Sequence, residues 1–137
     1  MIFVDSSLWV ALSDARDDRH DDALRLVRAH ERSPLVTTNH IRGETWTFLR
    51  KRAGHSVAVG YLDATQGAER LRIVDATPEL ERDAWAWLRR HDERAYSFVD
   101  ATSFAVMRLL GIREALAFDG DFAAAGFVEL RPDQTAS

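Results

Sequence analysis

Ile2-Phe3-Val4-Asp5-Ser6-Ser7 opens the chain, and Ala115-Leu116-Ala117-Phe118-Asp119-Gly120-Asp121 stands more than a hundred residues further on. In each stretch a short apolar run ends in an aspartate. Both runs read as buried strands, so two strands each carry a carboxylate at the C-terminal end. In an open parallel sheet that edge is where ligands and chemistry collect. If the two strands are neighbours, their backbones lie about 4.8 Å apart. Like charges that close need a cation or a shared proton.

The segments between them alternate short strands with helices. After the first strand, Asp5 or Ser6 caps a short helix reaching about Leu12. A longer helix spans 17–31, with Ala23, Leu24 and Val27 at helical spacing, and Ser33-Pro34 breaks it. Leu35-Val36-Thr37 is a second strand, followed by a helix from about Asn39 to Ala53 that stops at Gly54. Residues 56–68 form another helix, and 71–74 a third strand. Thr77-Pro78-Glu79 starts a helix with proline at its first position. Ser97-Phe98-Val99-Asp100 leads into an apolar helix over 101–110 that Gly111 ends. A fourth strand covers 115–118, a helical turn 121–125 and a fifth strand 127–130. The expected organisation is one domain over 1–130 and a frayed tail over 131–137. The fold class is α/β, a parallel sheet covered on both faces.

Composition narrows the chemistry. The 137 residues include no cysteine, so disulfides, thiolate metal sites and a cysteine nucleophile are excluded. No apolar stretch has the length of a membrane span, and the start lacks a signal-peptide pattern, so the expectation is a cytoplasmic protein with no membrane partner. The net charge of −4 is not the usual footprint of a nucleic-acid binder. A cation held by clustered carboxylates would offset much of that deficit.

Five acids stand out by placement. Asp5 and Asp119 follow strands, Asp121 comes two residues after Asp119, and Asp100 starts an apolar helix. Glu44 falls beside Ile41 and Phe48, on the flank of the inward face of its helix. Each has an ordinary reading as well. Asp5 and Asp100 can be helix caps. Asp119-Gly120-Asp121 can be a turn. Glu44 can be a surface residue paired with Lys51 or Arg42. One fold that brings all five to one edge gives the set its chemical meaning. Mg²⁺ and Mn²⁺ take oxygen ligands, and such an ion activates water and neutralises phosphodiester charge.

At this point the residues resemble a known family. Ile2-Phe3-Val4-Asp5-Ser6-Ser7, the segment Ile41-Arg42-Gly43-Glu44-Thr45, the run Ser97-Phe98-Val99-Asp100-Ala101-Thr102-Ser103-Phe104 and Ala117-Phe118-Asp119-Gly120-Asp121-Phe122 are together similar to a PIN-domain ribonuclease, specifically a VapC-type toxin of a toxin–antitoxin pair. The resemblance covers about residues 1–130. It implies a three-layer α/β/α sandwich with a five-stranded parallel sheet of order 3-2-1-4-5. It also implies that Asp5, Glu44, Asp100 and Asp119 form the catalytic, metal-binding quartet, with Asp121 as auxiliary ligand. The implied activity is Mg²⁺- or Mn²⁺-dependent cleavage of structured RNA, such as a tRNA or rRNA loop, leaving a 3′-hydroxyl and a 5′-phosphate. The implied partners are a cognate VapB-like antitoxin and a second copy in a homodimer. A non-toxin PIN nuclease of RNA processing and a non-catalytic PIN-fold binding module are the alternatives.

Further residues carry lesser expectations. Ser6 and Thr102 adjoin the acids, and their hydroxyls can orient a carboxylate or cap locally. Arg50-Lys51-Arg52, with Arg42, can contact RNA phosphates or simply favour a helix C-terminus. Arg108 can pair with a site carboxylate or reach solvent. Trp46 and Trp85 fall off the core faces of their helices and suggest an interface. Other acid-pocket α/β enzymes fit poorly. A haloacid-dehalogenase-type phosphatase would need a second aspartate directly after the first strand, and a phospho-receiver would need a lysine near the last one. Here Asp5 is followed by Ser6-Ser7, and the only lysine is Lys51.

Overall fold

The structure is a computed structural model that describes residues 1–132. Its elements, in chain order, are β1 (Ile2–Val4), α1 (Ser6–Ser13), α2 (His20–Ala29), β2 (Leu35–Thr38), α3 (Asn39–Arg52), α4 (His55–Thr65), β3 (Leu71–Val74), α5 (Pro78–Arg90), α6 (Phe98–Leu110), β4 (Glu114–Leu116), α7 (Asp121–Ala124) and β5 (Val128–Glu129). The five strands form one all-parallel sheet of order β3-β2-β1-β4-β5, as the resemblance implied. Part of the tail, 133–137, lies outside the described residues.

The order follows from chain direction and handedness. Right-handed crossovers put the helices of connections stepping one way across a sheet on one face, and those stepping back on the other. The chain steps outward from β1 to β3 through α1–α4, then crosses back to β4 through α5 and α6. Accordingly α1 packs on α2, α3 and α4, while α5 packs on α6 and α6 on α7. Strand β1 is central and wholly buried, which explains an uninterrupted apolar run. Its register pairs Phe3 with Ala115 and Val4 with Leu116, and the Asp5 N–H continues the ladder to the Leu116 carbonyl at 3.1 Å. The chain therefore changes winding direction between β1 and β4, beside the two strand-end aspartates.

Element ends differ from the sequence reading where side chains compete with the backbone. The helix expected from residue 17 begins instead at His20. The Asp14 carboxylate accepts the Arg16 N–H at 3.1 Å and Asp17 accepts that of Arg19 at 2.8 Å. These local turns hold 14–19 out of the helix. The helix expected from 101 begins earlier, at Phe98, because Ser97 and Asp100 close a reciprocal capping box. Strands β4 and β5 are shorter than expected.

One aromatic cluster ties α5, α6 and α7 to the sheet. Phe104 is fully buried and lies 5.2 Å from Trp87, 5.0 Å from Phe122 and 5.4 Å from Phe127, ring centre to ring centre. Phe122 in turn meets Phe3 of β1 at 5.8 Å. Replacing Phe104 by alanine removes the centre of that cluster. We expect Phe104→Ala to lower unfolding free energy by about 3–5 kcal/mol, seen in urea titration as an earlier midpoint with an unchanged slope.

Candidate active site

The sheet's C-terminal edge gathers the acids. Asp5 is the first residue past β1 and the N-cap of α1. Its Oδ2 accepts the Ser7 N–H at 3.2 Å and the Ser7 hydroxyl at 2.7 Å. Asp100 is the third residue of α6; its Oδ2 accepts the Ser97 N–H at 3.0 Å. Asp119 follows β4, and its Oδ1 accepts the Asp121 N–H at 3.1 Å. Carboxylate oxygens of Asp5, Asp100 and Asp119 all lie within 4.8 Å of one another. Asp5 and Asp100 are thus caps and cluster members at once, so the two sequence readings coexist.

The crowding shows in the acidities. Burial pushes Asp5 up to about 8, the charge of Asp119 adds to the shift, and the Ser7 hydrogen bonds oppose it. Burial likewise raises Asp100 to about 6, against the Ser97 hydrogen bond and with help from Asp121 and Asp119. Asp119 is raised too, by burial first and then by the charges of Asp121 and Glu129. These groups prefer to be neutral when no cation is present.

The other expected residues divide. Glu44 is exposed rather than flanking the core, and stands outside the three-acid cluster. It nevertheless lines one cleft together with Asp119. The Asp121 carboxylate is taken by Arg94, whose Nε donates to it at 2.6 Å. Thr102 does not turn toward the acids; its hydroxyl donates to the Val99 carbonyl of its own helix at 2.9 Å. Ser6 lines the cleft, but Ser7 supplies the hydroxyl on Asp5. Arg42 donates to Thr65 Oγ1 and to the Leu62 carbonyl, both at 3.3 Å, which ties α3 to α4. Arg52 pairs with Asp14 at 3.6 Å and Asp17 at 3.3 Å, while Arg50 and Lys51 are exposed. Arg108 pairs with Asp83 on α5 at 3.4 Å, so it joins no site carboxylate.

Three residues that sequence reasoning passed over shape this edge. Ser7 also accepts the Phe118 N–H at 3.0 Å, so one hydroxyl joins the end of β1 to the loop after β4. Arg94 reaches the Asp119 carbonyl at 3.0 Å, over Gly120. Gly120 has φ +83, and a Cβ there would meet the Arg94 Nη2 at 3.2 Å, so the turn requires glycine twice over. Glu129 is buried and its Oε2 accepts the Ala123 N–H at 3.0 Å, which anchors α7 behind Asp119. Serine two residues past a capping aspartate was a usable signal; nothing local marks Arg94 or Glu129.

A PIN-domain family model matches residues 2–128. The chain belongs to the PIN-domain family, as a VapC-type ribonuclease. Its similarity to a curated relative is high: the 23S rRNA-specific endonuclease VapC20 of Mycobacterium tuberculosis, in strains CDC 1551 and H37Rv, is 56% identical over 133 residues. That alignment covers 97% of this chain and 100% of the relative. The crystal structure of Mycobacterium tuberculosis VapC20, described as a sarcin–ricin loop cleaving toxin, superposes with a TM-score of 0.90 at 55% identity. It covers 96% of this chain and 100% of that one.

The acidities give a stability prediction. For Asp5 the folded value of about 8 lies above the ordinary 3.8, so the native state holds its proton more tightly. That contribution is complete below about pH 4 and is lost as pH rises through 8. Melting in EDTA should therefore show the metal-free VapC-type protein several degrees less stable at pH 8 than at pH 5. Asp5→Asn should flatten much of that slope.

Proposed function

We propose that this chain is a divalent-metal-dependent endoribonuclease toxin that cuts a structured loop of ribosomal RNA, with a sarcin–ricin-type loop as first candidate. The observation that carries the chemistry is the set of three carboxylates within 4.8 Å. Its donors are all oxygen, with no histidine or cysteine among them. Arg94 ion-pairs with Asp121. An all-carboxylate set suits Mg²⁺ or Mn²⁺. The matching substrate of VapC20 supports the choice of RNA.

In this reading Asp5, Asp100 and Asp119 hold the ion, and Glu44 adds a carboxylate from the opposite wall of the cleft. Asp121, fixed by Arg94, is the auxiliary acid. When bound, such an ion supplies Lewis acidity that favours deprotonation of the attacking water and offsets phosphate charge. The protein's own part is positional. Ser7 fixes the Asp5 carboxylate, the capping box fixes that of Asp100, and the Asp121 N–H fixes that of Asp119. Site carboxylates left free of the ion can accept the water's proton. The products are a 3′-hydroxyl and a 5′-phosphate. Exposed Arg50 and Lys51 are proposed phosphate contacts.

A VapB-like antitoxin as inhibitor, a homodimer as the working form and a cytoplasmic location complete the proposal. No helix among the described residues is long and apolar enough to cross a membrane.

The test is cleavage of a sarcin–ricin-type stem-loop RNA. We expect cutting with Mg²⁺ or Mn²⁺, none in EDTA, and at least a hundredfold loss in Asp5→Asn and Asp100→Asn with circular dichroism unchanged. Cutting that persists in EDTA would overturn the metal mechanism. A second expectation follows from proton competition at the same oxygens: Mn²⁺ should raise the melting temperature more at pH 8 than at pH 5, and should not do so in Asp5→Asn.

A further inference from the structure

Beside the acid cluster lies a cleft of about 430 Å³ whose aromatic lining the metal chemistry leaves unexplained. It runs from Asp119 between the start of α1 and the outer face of α3. Two aromatic rings line it, Phe48 from α3 and Phe118 from the loop after β4. Phe48 is 47% exposed and is not packed against the hydrophobic core. Each ring is paired with an arginine of the same cleft: Arg19 stands 5.0 Å from the centre of Phe118, and Arg52 stands 5.6 Å from that of Phe48.

Both guanidiniums are held in place. Arg52 pairs with Asp14 and Asp17, and Arg19 donates to the Phe118 carbonyl at 3.4 Å. The cleft is therefore lined by two rings, each with a guanidinium over it. Its ionic content argues against a phosphate as occupant. Asp17, Glu44 and Asp119 face it along with the two arginines, so its charge is not positive. A flat, neutral, hydrogen-bonding heterocycle suits such walls. Unpaired RNA bases stack on aromatic faces and on arginine planes. The volume falls in the range of ordinary ligand clefts.

We propose that this cleft receives one unpaired nucleobase of the RNA, turned out of its loop and stacked between the Phe48–Arg52 and Phe118–Arg19 pairs, next to the scissile phosphate. The inference rests on the ribonuclease reading and adds to it a reason for loop substrates. A base that must leave the stack costs least to extrude where it is already unpaired. Asp119 borders both the cleft and the acid cluster, so a seated base sets which phosphodiester reaches the acids.

The test uses the full chain and a sarcin–ricin-type stem-loop RNA carrying 2-aminopurine at loop positions in turn. Phe48 is exposed, so its replacement leaves the core intact. We expect Phe48→Ala and Phe48→Leu to raise KM about tenfold or more, and Phe48→Tyr to stay within about twofold of wild type, since stacking needs a ring and not its bulk. Mn²⁺ binding by calorimetry should be unchanged in all three. In the Asp5→Asn protein, binding should change 2-aminopurine fluorescence at one loop position, and adding Phe48→Leu should abolish the change. Unchanged KM in Phe48→Ala, or Phe48→Tyr as weak as Phe48→Leu, overturns the base cleft while the ribonuclease reading stands. A Phe48→Leu protein that sediments as a smaller species with wild-type KM also overturns it, because a second copy then covers the ring. If wild type cuts nothing, yet the fluorescence change appears and depends on Phe48, the ribonuclease reading falls and the base cleft survives.

Discussion

Three carboxylates whose oxygens lie within 4.8 Å of one another set the terms for the rest of this protein. Such a group is stable only with protons or a cation among its oxygens. Among the described residues, no arginine ion-pairs with Asp5, Asp100 or Asp119. The nearby guanidinium of Arg94 is spent on Asp121 and on a backbone carbonyl. Burial then works against ionisation at Asp5 and Asp100, so without a cation the cluster keeps protons among its oxygens.

What keeps the acids in place despite this is that each also has a local structural duty. Asp5 caps α1 and Asp100 completes the box that starts α6. A carboxylate at a helix N-terminus is favoured by the helix dipole as well as by its hydrogen bonds. Asp119 sits in a turn fixed by the αL conformation of Gly120 and by the Arg94 contact above it. The acidic edge is thus built from ordinary helix starts, with charge added where three of them converge. Behind it, the buried rings of Phe104, Phe122 and Phe3 pack in series.

That duality explains what could be read from the sequence. Strand-end aspartates and a helix-start aspartate have local signatures, so Asp5, Asp100 and Asp119 were legible, as was the parallel sheet that joins them. The topology itself needed the family resemblance, since strand order has no local mark. Glu44 was misplaced toward the core because its helix has a weak apolar face, with Phe48 pointing out rather than in. The start of α2 was missed because Asp14 and Asp17 capture backbone N–H groups that periodicity counts as helical. Arg42 was read as a phosphate contact or a partner of Glu44, and Arg108 as a partner of a site carboxylate or a solvent-reaching cation, yet each finds its partner 20 or more residues away on another helix. Arg94 and Glu129 act on the acid loop from other elements, and no window of sequence brings them together.

The central strand has one further consequence. β1 is made long before its partner β4, and the Ser7 hydroxyl waits across 111 positions for the Phe118 N–H. Synthesis runs from the N-terminus, and structure tends to form in that order. Asp5 is therefore made well before Asp100 and Asp119 can stand beside it. The acid cluster can close only after Asp119, the last of its three members, has joined the chain.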